Sequence, residues 1–293
     1  MQLLYLKNKD IDYKLWDEKI EVSLGHFPYA KSWFLDIVSP GWEAIVSENY
    51  EYVMPLPVKR KFGLAYLVQP LFTQQLGVFS ANIIDEYTVN EFISKIPYYS
   101  YQLNLNNTNP IQTGILLPNY VLSLQKSFDE ISKLFTKNTI RNIEKAIKAQ
   151  LTVSKLDFDN EIRHFISENA NESYKYNLPM IFALIEKACE HDAMEIWGVR
   201  NPKGELVASA CFHKTKKRLI YVFPVSNNEG RSNSAMFILL NNIIDIYSGN
   251  YQLLDFEGSQ VDSIARFYKG FGAIDKPYYM VKKNRPDFLI GKL

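Results

Sequence analysis

Asp255 and Glu257 stand two residues apart in the run Leu253-Leu-Asp-Phe-Glu-Gly-Ser259. In an extended strand alternate side chains share a face, so both carboxylates are expected on one side, with Leu254 and Phe256 on the other. Two such carboxylates are either a solvated sheet edge or a cluster that orients and deprotonates a substrate group. A second chemistry is cationic. Lys133, Lys137, Arg141 and Lys145 recur every four residues and would form one stripe of a helix, either a phosphate platform or an ordinary solvated face. A third is amide recognition. Gln69, Phe72, Gln74 and Gln75 crowd a strand end, where glutamines either hydrogen-bond the amides of an acceptor or cap the strand itself. His26, His164, His191 and His213 show no i, i+4 pairing, so no metal site is expected. Cys189 and Cys211 are too few for a disulfide framework, and no nucleophile role is expected of either.

The 293 residues exceed a typical single domain, so two domains are expected. Apolar residues make up 47%, which excludes a disordered chain. Thirty-three basic residues against thirty-two acidic ones leave +1, so no global field recruits nucleic acid or an anionic surface; such contacts need a local patch. There is no basic leader followed by an apolar run and no stretch near the roughly 20 apolar residues of a membrane span. A cytoplasmic chain without a membrane span is the expectation.

An internal repeat organises the elements. Residues 51–70 lie over 205–224 without a gap: an apolar run, a basic turn, a second apolar run and a closing proline. Runs of this kind predict adjacent antiparallel strands. The clusters Lys59-Arg-Lys61 and Lys214-Thr-Lys-Lys-Arg218 then occupy equivalent hairpin turns, which favours a structural role as charged, solvated tips. Helices are predicted over 12–22, 33–38, 160–172, 179–191 and 236–247, the last apolar almost all round and therefore buried. Ser127-Phe-Asp-Glu130 is a capping box opening a helical stretch to Ala149 with a break near Thr136. A strand is predicted over 252–257, and Ser259 to Asp262 would cap a last helix stopped by Gly270 and Gly272. The loop-like run 104–110 marks the junction, giving domains 1–112 and 113–293. The expected fold class is α+β, with a mixed, mostly antiparallel sheet flanked by helices in each domain.

The order strand, loop, buried helix, strand, short helix over 218–270 resembles the core of the GNAT acyltransferases. That resemblance implies two parallel strands that splay apart, with main chain at Val222, Phe223 and Val225 holding the arm of an acyl donor. Arg231, Ser232, Asn233 and Ser234, at a helix start, would take its phosphates. Ala265-Arg-Phe-Tyr268-Lys-Gly-Phe-Gly272-Ala is similar to the closing motif of that family, which makes Tyr268 the expected proton donor to the leaving group. The phosphate loop departs from the family pattern: Asn228-Glu-Gly230-Arg-Ser-Asn-Ser-Ala235 holds one glycine, at the wrong place.

Three further sequences resemble the Fem-type (FemABX) peptidyl transferases, which carry tandem GNAT-like domains. They are Tyr29-Ala-Lys31-Ser-Trp33 with Gly41-Trp42, Thr136-Lys-Asn138-Thr-Ile-Arg141-Asn142-Ile-Glu-Lys145-Ala146, and Leu254-Asp-Phe-Glu257-Gly-Ser259. The resemblance implies an N-acyltransferase moving an acyl or aminoacyl group from acyl-CoA or aminoacyl-tRNA to an amine, with cell-wall precursors as typical acceptors. No tightly bound cofactor is implied. Glu257, then Asp255, would handle the amine proton. Trp33, Gln69, Phe72, Gln74, Gln75, Lys137, Asn138 and Arg141 would contact a small or peptide-like acceptor, and the basic helix would touch tRNA. The alternative is a non-catalytic binding protein that keeps the fold with a degenerate donor loop.

Overall fold

The computed structural model describes residues 1–259 and 261–284. The described residues fold as two units, one of residues 1–118 together with 276–284, the other of residues 119–275. The first unit opens with strand β1 (Leu3–Leu6), helices α1 (Tyr13–Val22) and α2 (Ser32–Val38), then β2 (Glu43–Ser47) and β3 (Val53–Leu56). It continues through β4 (Val58–Lys61), β5 (Leu64–Val68), α3 (Glu86–Ser94), β6 (Tyr101–Asn104) and β7 (Ile115–Leu117).

The second unit begins with β8 (Tyr120–Ser123), α4 (Phe128–Ser132), α5 (Lys137–Lys148) and β9 (Thr152–Leu156). Helices α6 (Asn160–Asn169), α7 (Glu172–Lys175) and α8 (Leu178–Glu190) follow, then β10 (Met194–Arg200), β11 (Leu206–Lys214) and β12 (Arg218–Ser226). It closes with α9 (Asn228–Ser232), α10 (Ala235–Tyr247), β13 (Leu253–Asp255), α11 (Asp262–Gly270) and β14 (Ile274–Asp275). The chain then returns to the first unit as β15 (Tyr278–Lys283).

In the first unit β1, β2 and β3 form one antiparallel sheet, and β4-β5-β6-β15-β7 form another. The second unit has one sheet in the order β14-β8-β13-β12-β11-β10-β9, antiparallel except for β12 beside β13. The first unit has a matching exception, β5 parallel to β6. Each unit is therefore the expected α+β arrangement. The repeat falls on β3 to β5 and on β11 to β12, but the basic clusters are not simply solvated turn tips: Lys59 to Lys61 lie on β4, and Arg218 opens β12 buried.

Local chemistry explains the helix ends. Asp12, Asp85, Thr136 and Asp159 each accept a backbone N–H in the first turn of α1, α3, α5 and α6, which satisfies a donor the helix leaves open. The capping box of Ser127 and Glu130 opens α4, and the expected break follows it before α5. Helix α10 buries six of its side chains, among them Leu239, Leu240 and Ile243, as its all-round apolar sequence requires.

Several expectations shift. The helix predicted over 160–172 is two helices, because it ends at Asn169 and Asn171 caps a separate α7. The strand over 252–257 is only Leu253–Asp255. The cap expected at Ser259 to Asp262 crosses Gln260, outside the described residues. Residues 104–110 are no linker: Asn106 and Asn109 are buried and donate to the carbonyls of Leu76 and Val78. The linear division at 112 also gives way. β15 pairs with both β6 and β7, so ladder hydrogen bonds hold Tyr278–Lys283 to the first unit.

Candidate functional site

The parallel pair defines the place. β12 registers with β13 only at Arg218, Leu219 and Ile220, yet β12 itself runs on to Ser226. Among the described residues no ladder between these two strands extends past Ile220. At its other edge β12 keeps pace with β11 through a register break between Ser209 and Cys211. Opposite that break lie Phe223, at φ +50°, and Pro224, which has no N–H to give. The strand is bent by a bulge where it leaves its parallel neighbour.

Phe223 and Glu257 (φ +59°), flanking this opening, hold left-handed backbone, as does Ser234 (φ +60°) at the start of α10. Such conformations cost of order 1–3 kcal/mol each and concentrate at functional sites. Glu257 is pinned by main-chain bonds. Its N–H donates to Asp255 Oδ1 at 2.9 Å, and its carbonyl accepts from Tyr120 N–H at 2.9 Å.

Asp255 itself departs from expectation. Its side chain has no solvent exposure and is ion-paired with Arg218, also buried, so the pair spans the ladder from its first rung on β12 to its last on β13. Strand alternation stops at Asp255 because Glu257 turns left-handed, so the two carboxylates do not form one solvated face. Asp255 ties β13 to β12 and fixes the backbone of Glu257.

Tyr268 projects from α11 into the same neighbourhood. Its ring stacks on Phe256 at 4.8 Å and meets Tyr221 edge-on at 6.3 Å. Burial, then the charge of Glu257, then Tyr174 hold its hydroxyl protonated well above the usual phenol range. Tyr174 is raised in the same way, by burial first and Glu257 next, and its ring stands edge-on to Phe223 at 5.9 Å. Tyr221 is raised by burial, then by Tyr268 and Tyr174, and donates to Met236 Sδ at 3.4 Å. Glu257 and the phenols of Tyr268, Tyr174 and Tyr221 thus lie near one another beside the end of the parallel ladder. Hydroxyls held protonated beside a carboxylate are suited to donating toward a developing oxyanion or leaving group. Tyr174 and Tyr221 were not legible as site residues: they are two of 19 tyrosines, and Tyr174 sits on a four-residue helix.

The loop expected after the first strand of the 218–270 run is not open. It contains α9, whose cap Asn227 accepts from Gly230 N–H. A Cβ on Gly230 would lie 2.1 Å from the Val207 carbonyl oxygen, so this glycine serves close packing on β11. Arg231 is turned onto its own loop, donating to the Ser226 carbonyl and to Asn228 Oδ1. Ser232 ends α9, Asn233 caps it, and Ser234 precedes α10.

Ser234 Oγ donates to Asn142 Oδ1 at 2.8 Å, joining the start of α10 to α5. Thr136 N–H donates to the Gly270 carbonyl at 2.9 Å, and a Cβ on Gly270 would lie 2.5 Å from Thr139 Oγ1. The motif over 136–142, the start of α10 and the end of α11 therefore converge. Lys137, Asn138 and Arg141 are exposed there, and Arg141 donates to Asn138 Oδ1 at 2.8 Å. Beside them a groove of about 750 Å³ is lined by Thr136, Asn138, Phe237, Arg266 and Lys269. The four-cation stripe is shorter than expected, since Lys133 ends α4 and only Lys137, Arg141 and Lys145 belong to α5.

The remaining candidates lie in the first unit. Gln69 donates to the Thr73 carbonyl and accepts from Asn104 N–H, beside the parallel pair β5 and β6. Gln75 donates to Gln74 Oε1 and accepts from Asn107 N–H. Both polar ends of these two amides are used, tying their loop to the end of β6 and the residues after it, which matches the strand-capping alternative for the glutamine cluster. Phe72 turns at φ +58°, and half-buried Trp33 packs on Phe34 at 5.7 Å.

By sequence, no family model and no curated protein matches the chain. By structure it is similar to FemX, with a TM-score of 0.69 at 11% identity over 99% of this chain and 98% of that one. It is also similar to a tandem GNAT protein from the clavulanic acid biosynthesis pathway (TM-score 0.53, 12% identity, 98% and 100% covered). A third likeness is to the C-terminal domain of a putative lysylphosphatidylglycerol synthetase from Agrobacterium fabrum (TM-score 0.51, 9% identity, 86% and 85% covered). The chain has the tandem GNAT-like, Fem-type fold.

Proposed function

We propose that the second unit is an acyl-transfer domain that holds an activated acyl donor in the opening between β12 and β13 and passes the acyl group to an amine. The observation that carries this reading is the parallel ladder ending at Ile220, with the Tyr268 ring stacked at 4.8 Å on Phe256, the residue just before Glu257. The amine nitrogen attacks the donor carbonyl, forming the C–N bond, and Glu257 takes its proton. The bond from carbonyl carbon to the leaving oxygen or sulfur then breaks, and the Tyr268 hydroxyl delivers a proton to that atom. Solvent returns the proton of Glu257 to the phenolate. Tyr174 donates to the oxyanion of the intermediate. Asp255 acts through Glu257 as a positioning residue.

The chemistry of the site favours an aminoacyl ester over a thioester. A phenol raised above its ordinary range is matched to a ribose alkoxide, which is far more basic than a thiolate. Gly230 is committed to Val207, which removes the glycine a pyrophosphate loop needs. Lys137, Asn138 and Arg141, beside the groove with Arg266 and Lys269, are the proposed contacts for nucleic-acid or nucleotide phosphate. The amine of a peptide-like cell-wall precursor is the proposed acceptor.

Thermal-shift measurements with acetyl-CoA, a long-chain acyl-CoA and aminoacyl-tRNA test the donor. Stabilisation by aminoacyl-tRNA alone is expected. Stabilisation by a CoA ester overturns the choice of donor, and indifference to all three supports the non-catalytic binding protein, the reading that the single glycine of the loop favours.

A further inference from the structure

The β4–β5 hairpin turns through Phe62 and Gly63, at φ +51° and +75°. Two successive left-handed residues make the turn type in which Asn, Asp or Gly is favoured at both positions. Phe62 is therefore strained in its backbone, and its side chain is also 91% exposed. Its ring lies 5.3 Å from the Lys61 ammonium. Leu64, across the turn from Lys61, is 72% exposed. The equivalent hairpin of the second unit turns through Thr215, Lys216 and Lys217, so the architecture does not require an apolar tip.

The surroundings are cationic and aromatic. Lys59 and Lys61 are exposed on β4. Tyr99, 80% exposed, stands just before β6. Lys283, exposed at the end of β15, registers with Tyr101, which in turn registers with Leu67 of β5. These side chains therefore gather at the end of the sheet that carries the tip. Glu43, the carboxylate near Arg60, is buried and already bound by Arg60 and Lys7.

We propose that this tip anchors the protein to an anionic bilayer surface, with Phe62 and Leu64 entering the interfacial layer and Lys59, Lys61 and Lys283 meeting the headgroups. Apolar side chains that enter the lipid interface, ringed by cations, are what such binding requires. A folded protein partner is a poorer match, because a stable interface buries about 800 Å² per side and one turn with two apolar side chains offers far less. A bilayer accepts a single ring at a point. The anchor is independent of the acyl-transfer reading.

Co-sedimentation of the full chain with phosphatidylcholine vesicles, with and without about one third phosphatidylglycerol, tests it. Salt-sensitive binding to the anionic vesicles alone is expected. Phe62→Asn suits the turn and keeps the fold, and it should weaken binding by about tenfold. Lys59→Gln with Lys61→Gln should weaken binding and flatten its salt dependence. Failure to bind anionic vesicles overturns the anchor, as does undiminished binding by Phe62→Asn. Self-association in the absence of lipid that disappears in Phe62→Asn would identify a second copy as the occupant and overturn it equally.

Discussion

Glu257 and Tyr268 carry the proposed chemistry, and their variants separate the proposed roles. Tyr268→Phe keeps the stack on Phe256 and removes only the hydroxyl. Its rate of transfer should fall by about 10²–10³, in the range of lost general-acid catalysis, with the melting temperature little changed. Glu257→Gln should fall less, by about tenfold to a hundredfold, because positioning of the amine survives the loss of the base. Steady-state rates beside thermal melts check both, and full activity in Tyr268→Phe would remove the phenol from the mechanism. Gly230→Ala is the structural contrast. Its Cβ would press on the Val207 carbonyl, so it should lower stability by about 1–3 kcal/mol in denaturant melts.

Among the elements, the parallel pair β12 and β13 depends on one buried ion pair. Removing the carboxylate in Asp255→Ala leaves Arg218 buried and charged, a change that costs about 3–5 kcal/mol. The expected result is a large drop in stability with transfer lost alongside it. Replacing both partners by apolar residues should restore stability but not activity, since Glu257 would lose the acceptor for its N–H. On β11, burial pushes the His213 imidazole down to about 3 from its ordinary 6.5, so the folded state resists protonating it. Its contribution is full above pH 6.5 and is lost as pH falls from there toward 3, because the unfolded chain binds the proton first. His213→Gln should flatten that part of the stability profile measured by denaturant titration.

For the molecule as a whole, both units repeat a device that no alignment of letters reveals. Buried Glu43 on β2 accepts from Lys7 just after the edge strand, Arg60 on β4, Tyr5, and Tyr98 beyond α3. Buried Glu195 on β10 is held by Lys155 on the edge strand, Lys214 on β11, Trp197, and Tyr247 at the end of α10. Burial raises both carboxyls, but these donors outweigh it and leave them below the usual range. The second feature of this size is the return of β15. A chain ended at 275 would leave β6 and β7 without their shared neighbour and uncover Tyr278's and Val281's packing sites. Hydrogen exchange at residues 101–104 and 115–117 should then rise strongly while β10 to β12 stay protected; retained protection would show that β15 is dispensable.

The repeated hairpins, the capping box at Ser127, the break before α5, the buried α10 and the tandem α+β plan were all legible in the order of residues. They follow from local rules, periodicity and capping, that act over a few residues. The candidate site was legible in part. Glu257 and Tyr268 lie in recognisable motifs, whereas Tyr174 and Tyr221 acquire their place only when α7 and β12 are brought to the same opening. It took the folded chain to make Asp255 an ion-paired strut, to make Gly230 a packing residue and to turn Gln69 and Gln75 into braces between their loop and the segment 104–107. Folding likewise assigned the last strand to the first unit. Each of those depends on which partner a polar group or strand edge finds far along the chain, and burial makes that choice by penalising every group left without one.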